Sequence, residues 1–257
     1  MIREPAGKDG GDLGVFSGSS GFAPSDIDER SRDASFMINR VLPLSAALLL
    51  FAFAASACNV SVTFGEGIDG SGVVVTETYD LDDFDEIRVG SAFEVDIEVG
   101  PEASVEVQAD DNFIEFVEIE VDGDELQIGF DESLRDGTLR ATVTLPQLTD
   151  VDVSGASDVS IIGIDATDLD IEVSGASEVT ASGSADSLRL DVSGASDVRL
   201  DGLTVATAQV DINGASDVEL GAAETVRGDL AGASDLSVSA DSSTNVTTSG
   251  AATLERS

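Results

Sequence analysis

The sequence predicts an all-β protein: a right-handed β-helix, or solenoid-like stack, of 18–20-residue coils behind an irregular β N-terminal part. Three observations predict it. A hexapeptide recurs at constant phase, as Ser154-Gly155-Ala156-Ser157-Asp158-Val159, then from Ser174, Ser193, Asn213 and Ala231, with a decayed copy at Ser249-Gly250-Ala251-Ala252-Thr253-Leu254. Its glycines Gly155, Gly175, Gly194, Gly214 and Gly232 are spaced 20, 19, 20 and 18 residues apart. Most copies follow an alternation such as Leu169-Asp170-Ile171-Glu172-Val173, the period of a half-buried strand. A unit this short cannot bury its own apolar face, so it must stack on its neighbours.

Each unit reads as strand, glycine corner, shorter strand, second corner and short return. The second corner falls at Gly163, Gly183, Gly202 and Gly221. Corner glycines suit a backbone that needs positive φ or close approach. Six coils at about 4.8 Å each make a rod of roughly 29 Å. A sandwich or barrel is the runner-up. It needs no repeated hexapeptide, whereas in-register stacking does.

Residues 81–148 form the less regular N-terminal β part and residues 149–254 the repeats. Strands are expected at 72–79, 86–89, 93–98, 103–108, 115–121, 125–130 and 138–145. Asp122-Gly123 between two apolar runs is a hairpin signal, and Pro146 marks a strand end or corner. This part is expected to cap the solenoid or form its first, wider coils. After residue 57 every aromatic residue lies before residue 131, so the repeats must build a thin core of Val, Ile, Leu and Ala.

Upstream, residues 41–57 are an uncharged run preceded by Arg40 and ended by Ala55, Ser56 and Ala57. This is short for a membrane span but right for a secretory signal, placed at 37–57. The next residue, Cys58, is the only cysteine of the chain. The junction resembles a bacterial lipobox, although Ala55 stands where Leu is usual. Lipidation at Cys58 is therefore expected, with 58–80 as anchor and linker; the alternative is a signal cut nearby that leaves a spare thiol. Residues 1–36 read either as a disordered tail or as a stretch upstream of a true start at Met37.

Composition excludes several chemistries. The 257 residues carry 51 Asp and Glu against 12 Lys and Arg, a formal charge of −39, and no His. A nucleic-acid binder needs a basic surface, and His-based catalysis or zinc ligation needs imidazole. From Cys58 onward there are 44 acidic residues against 7 arginines, a net charge of −37. Such a surface repels itself and anionic lipid, and resembles that of halophile proteins.

The corner acids Asp158, Glu178, Asp197, Asp217 and Asp235 form one column if the coils stack in register. Carboxylates about 5 Å apart repel by about 0.8 kcal/mol in water and about 3 at an effective dielectric of 20. The column must then be hydrated, screened or neutralised. A Ca²⁺ ladder would do this with hard oxygen ligands, and no other cofactor is expected. In the bland reading each acid caps its own turn by accepting from backbone N–H groups. The serines Ser157, Ser177, Ser196, Ser216 and Ser234 have no base beside them and read as turn hydrogen-bonders, not nucleophiles. A polysaccharide-cleaving β-helix would need a raised-pKa acid in a cleft with aromatic platforms.

The chain resembles the bacterial head GIN domain family, a domain of unknown function labelled a putative auto-transporter adhesin. The resemblance spans about residues 81–254. It rests on Phe84-Asp85-Glu86-Ile87-Arg88-Val89, Val95-Asp96-Ile97-Glu98-Val99-Gly100, Val121 to Gly129, Val143 to Leu148 and the recurring corner. The family's corner reads SGSGD, where this chain has Ala156, Ala176 and Ala195. The resemblance implies a secreted or lipid-anchored β-helical protein with a binding, adhesion or scaffolding role and no catalytic residues to transfer. The partner would be a surface protein or polysaccharide, with the membrane reached through the lipid. Asn59 stands where an Asp would resemble an inner-membrane retention signal, so the outer membrane or cell surface is favoured. The oligomeric state is open.

Overall fold

Alternating apolar residues give strands whose inner side chains close a narrow core. The computed structural model describes residues 67–81 and 83–257, which belong to one compact unit, Val62–Ser257. The expectations for residues 1–36, the signal segment 37–57 and Cys58 lie outside the described residues. No helix among the described residues is long and apolar enough to cross a membrane.

The N-terminal part contains β1 (Ile68–Asp69), β2 (Val74–Tyr79), β3 (Glu86–Val89), β4 (Glu94–Val99), β5 (Ser104–Asp110), β6 (Val117–Asp122), β7 (Glu125–Phe130), β8 (Leu134–Asp136) and β9 (Leu139–Leu145). The repeats contain β10 (Asp150–Val153), β11 (Asp158–Val173), β12 (Glu178–Gly194), β13 (Asp197–Gly214), β14 (Asp217–Leu220), β15 (Ala223–Gly232), β16 (Asp235–Val238), β17 (Ser243–Thr248) and β18 (Thr253–Arg256). Pairing through the repeats is parallel and in register: Val159 lies beside Val179, then Val198, Val218, Leu236 and Leu254. This is a β-solenoid, and it excludes the sandwich.

Three walls enclose the core. The first precedes the corner (150–153, 170–173, 189–192, 209–212), the second follows it (158–161, 178–181, 197–200, 217–220), and the third links them. The second corner is softer than the sequence suggests. Gly163 and Gly183 have positive φ, at 80° and 137°, but Gly202 and Gly221 do not. The strands run through this point with a register shift, between Ile161 and Ile164 in one coil and between Thr180 and Ser182 in the next. A bulge bends a strand without ending its pairing, so β11, β12 and β13 reach 16, 17 and 18 residues.

Chain order and spatial order part company in the N-terminal half. On the first wall β3 lies between β7 and β10; on the second, β4 lies between β9 and β11. The chain thus lays down one coil, runs outward through β5 and β6, and adds a coil outside the first. It then returns to continue inward from β10. The hairpin at Gly123 and the antiparallel strands β6, β5 and β2 close this end. The N-terminal part is therefore both cap and first coils. Phe84, Phe93, Phe113 and Phe130 fill it, with Phe113 and Phe130 packed edge to face at 5.4 Å. Buried Asp110 ties the cap together by accepting from the N–H groups of Gly72 at 2.6 Å and Thr138 at 2.8 Å.

The other end is finished by one side chain. Arg256 is in register with the buried core residue Val238, at an inward position of the last coil. Its guanidinium donates to the Thr244 hydroxyl on β17, across the end of the core. An inward charge on a terminal strand discourages further strand pairing.

Candidate functional site

The repeated corner is where the sequence concentrates its recurrent chemistry. The glycines stack on one another at backbone contact. Gly155, Gly175, Gly194, Gly214 and Gly232 all have positive φ, from 84° to 119°. The N–H of Ala176 donates to the Gly155 carbonyl at 2.9 Å, and Ala195, Ala215, Ala233 and Ala251 continue the series. The decayed copy at Gly250 still forms its corner, with φ 79°. A further corner precedes the repeats at Ser91, which has φ 70° and whose carbonyl accepts from Ala156 N–H at 2.8 Å. Sequence reasoning missed it because Gly90-Ser91-Ala92-Phe93 places Ser where the repeats have Gly.

Ser157, Ser177, Ser196, Ser216 and Ser234 are all buried, at 3% exposure or less. Ser177 Oγ donates to the Ser174 carbonyl at 3.2 Å, the expected turn bond. The same oxygen accepts from the N–H of Ser157 in the preceding coil at 3.4 Å. Ser196, Ser216 and Ser234 accept in the same way from the coil before. The column is thus a polar ladder inside the rod, shielded from substrate.

The acid column forms as predicted in register: Asp158, Glu178, Asp197, Asp217 and Asp235 are consecutive neighbours on the outside of the second wall. It extends at one end through Glu94 to Arg140, and ends at the other in Thr253. Arg140 donates to Glu94 at 2.6 Å, and Arg199 bridges Glu178 and Asp197. Of the column carboxylates only Glu94, Glu178 and Asp197 bond to these arginines, and none of the column accepts from a backbone N–H among the described residues. The turn-capping reading is thus replaced by partial neutralisation, from Arg140 at the end of the column and from Arg199 in the adjacent outward column. Asp158 is pushed up from the ordinary Asp range by desolvation first, then by Glu178, Glu94 and Asp96, against Arg199.

A second acid column was not singled out from the sequence. Asp152, Glu172, Asp191, Asp211 and Asp229 stack in register on the first wall. The signal was there: an acid stands two residues before the first residue of each corner. Arg88 holds one end, donating to Asp152 at 3.0 Å. On the same wall Glu125, Glu86, Asp150 and Asp170 form a row of four acids. Asp150, inside that row, is raised to about 6 by desolvation, then by Asp170, Glu86, Asp152 and Glu125. Among the described residues no group of three or more acids converges as a metal cluster would.

The repeats carry no aromatic residue, so neither column lies beside a sugar-stacking platform. The geometry offers rows of regularly spaced charge on a stiff rod.

Comparison with known proteins agrees with this architecture. A crystal structure of a protein described as a "putative adhesin" from Bacteroides fragilis NCTC 9343 is 17% identical and has a TM-score of 0.60, covering 74% of this chain and all of that one. It shares the fold. A "putative lipid binding protein" from Parabacteroides distasonis ATCC 8503 is 14% identical with a TM-score of 0.49, covering 74% of this chain and 99% of that one. No functionally curated protein matches the chain. The profile described as "Putative auto-transporter adhesin, head GIN domain" matches residues 83–253, two thirds of the sequence and every wall described above, and the chain belongs to that family.

Proposed function

We propose that this protein is a lipid-anchored, non-enzymatic binding module of the cell envelope, an adhesin-like rod held to the outer membrane or cell surface through Cys58. The observation that carries the reading is the in-register solenoid, which displays rows of side chains on fixed walls while burying the serine of each repeated corner. A rigid surface of this kind binds without reorganising, which lowers the cost of association. Membership of a family described as adhesins supports the same role, as does the "putative adhesin" of Bacteroides fragilis. The lone cysteine directly after an uncharged run supports the anchor. A diacylated, N-acylated cysteine gives more than one chain, enough for stable attachment.

The test is metabolic labelling with palmitate and fractionation of cells making the wild type or Cys58→Ser. The wild type incorporates label and sediments with membranes, whereas the variant is unlabelled and soluble. A variant that still labels and sediments would sink the anchor. Failure of surface-displayed wild type to retain any envelope or host-surface component would sink the binding role.

A second reading is favoured by the two acid columns: a structural envelope protein stiffened by cations, with Ca²⁺ shared between neighbouring rungs of Asp158, Glu178, Asp197, Asp217 and Asp235.

A further inference from the structure

We infer that the third wall of the repeats is a docking groove for an extended, basic polypeptide segment of a partner protein. A trench of about 740 Å³ runs along this wall across successive coils. Its floor is the backbone of the in-register row Ala166, Ala185, Val205 and Ala223, whose side chains turn towards the core, between two rows of outward side chains. No outward side chain stands on that floor, and the flanking rows carry Ser184, Thr204, Ala206 and Ala222 besides the acids, so an extended backbone can lie along it. Its polar edge carries Asp165, Asp186, Glu224 and Asp241, and no Lys or Arg lines it. A second trench of about 490 Å³ shares Asp165, Ala166 and Thr167 with it and adds Asp168 and Asp170, with Arg189 at that end.

Charge selects the occupant. On the other two walls Arg88, Arg140, Arg189 and Arg199 pair with Glu125, Asp152, Glu94, Asp170, Asp191, Glu178 and Asp197, leaving others such as Asp217 and Asp235 unpaired among the described residues, whereas the trench has no arginine at all. Among the described residues Asp165, Asp186, Glu224 and Asp241 take no ion pair and no side-chain hydrogen bond. They are exposed carboxylates left to an external cation, in a chain whose net charge of −39 attracts one from a distance. The trench touches five successive coils, about 19 Å at 4.8 Å per coil, which seats about six residues of extended chain. It is too long for a single metal ion and lacks the aromatic platform a sugar would stack on. A polypeptide with lysines or arginines separated by small residues meets the acidic rim with its charges and lies along the floor between the two outward rows. The inference rests on the binding-module reading but not on the anchor.

The test is calorimetric titration of the full chain in neutral detergent with an eight-residue peptide of alternating Lys and Thr, at low and moderate salt. Ala206→Trp fills the trench from an exposed lining position without changing charge. Asp186→Asn with Glu224→Gln strips the rim, and Asp211→Asn with Asp229→Asn removes two charges from the first wall as a control. Melting curves establish that each variant is folded. Both trench variants are expected to weaken peptide binding about tenfold or more, and the control less than about threefold. Equal weakening by the control would mean attraction to overall charge and overturn the inference. So would no effect of Ala206→Trp, or no binding to the wild type. Spermine binding as tightly as the peptide would assign the trench to small polyamines and overturn it too. A chain that fails here yet labels with palmitate and retains a surface component loses only this inference.

Discussion

A Cβ built on Gly175 would lie 2.3 Å from the carbonyl oxygen of Gly155, so successive corners are stacked at backbone contact. The same relation places a Cβ on Gly194 2.2 Å from the Gly175 oxygen. Gly194→Ala combines this clash with a positive φ of 94° and is expected to cost about 3 kcal/mol or more. Gly123→Ala is the control, since it also has positive φ but meets nothing within 4 Å. It should cost about 1 kcal/mol. Urea unfolding of both variants measures the difference; equal costs would refute the stacking argument.

Removing one rung of the serine ladder should be felt in the preceding coil. Ser177→Ala deletes the acceptor of the Ser157 N–H and is expected to cost about 1–2 kcal/mol. Hydrogen exchange at the Ser157 amide should quicken selectively. A uniform change across the repeats would mean general loosening instead.

The row Glu125, Glu86, Asp150, Asp170 makes stability depend on pH. The Asp150 carboxyl is raised to about 6 in the folded chain, so the folded state binds a proton more readily than the unfolded one. Its charge therefore opposes folding above pH 6, and the penalty is relieved as pH falls from about 6 towards 4. Asp150→Asn should stabilise the protein at pH 7.5, by roughly 1 kcal/mol once solvent screening is allowed for, and have little effect at pH 4. Thermal melts at the two pH values check this; destabilisation at pH 7.5 would overturn it.

Arg256 guards the last coil. Arg256→Val continues the column of Val238 with another apolar side chain and leaves a pairing edge without its charge. The variant is expected to show an apparent mass that rises with concentration towards twice that of the wild type in light scattering. A variant that keeps the wild-type mass would deny the guard role.

Cations should act on the acid columns in one of two ways. If rungs share Ca²⁺, millimolar Ca²⁺ raises the melting temperature by more than molar NaCl does. If the columns are merely screened, NaCl gives an equal or larger rise, since the screening length falls to about 3 Å at 1 M. The second outcome would end the Ca²⁺ ladder.

The repeats were legible because their local pattern and their packing say the same thing. Val159, Val179 and Val198 recur at one phase, and only in-register stacking gives that recurrence a purpose. The hairpin at Gly123 was legible for the same reason, being a contact between neighbours in sequence. The placement of β3 between β7 and β10 was not, because no local pattern records which strand a segment joins after a long excursion. The softness of the second corner was hidden too. Gly202 and Gly163 look alike in sequence, but a strand can bend there by a bulge, and φ is positive at Gly163 and not at Gly202. The acids were read as one column, although the alternation before each corner had already written a second.

The interchangeable rungs have an evolutionary corollary. The special strands β2, β5 and β6 sit at one extremity and Arg256 at the other, and the coils between them are near copies in mutual register. Unequal recombination between two copies of the corner, about twenty codons apart, adds or removes a whole layer without disturbing either extremity. Each event would change the rod's reach by about 4.8 Å. Such a gene can thus alter how far its product projects in discrete steps, faster than point mutation could remodel any single surface.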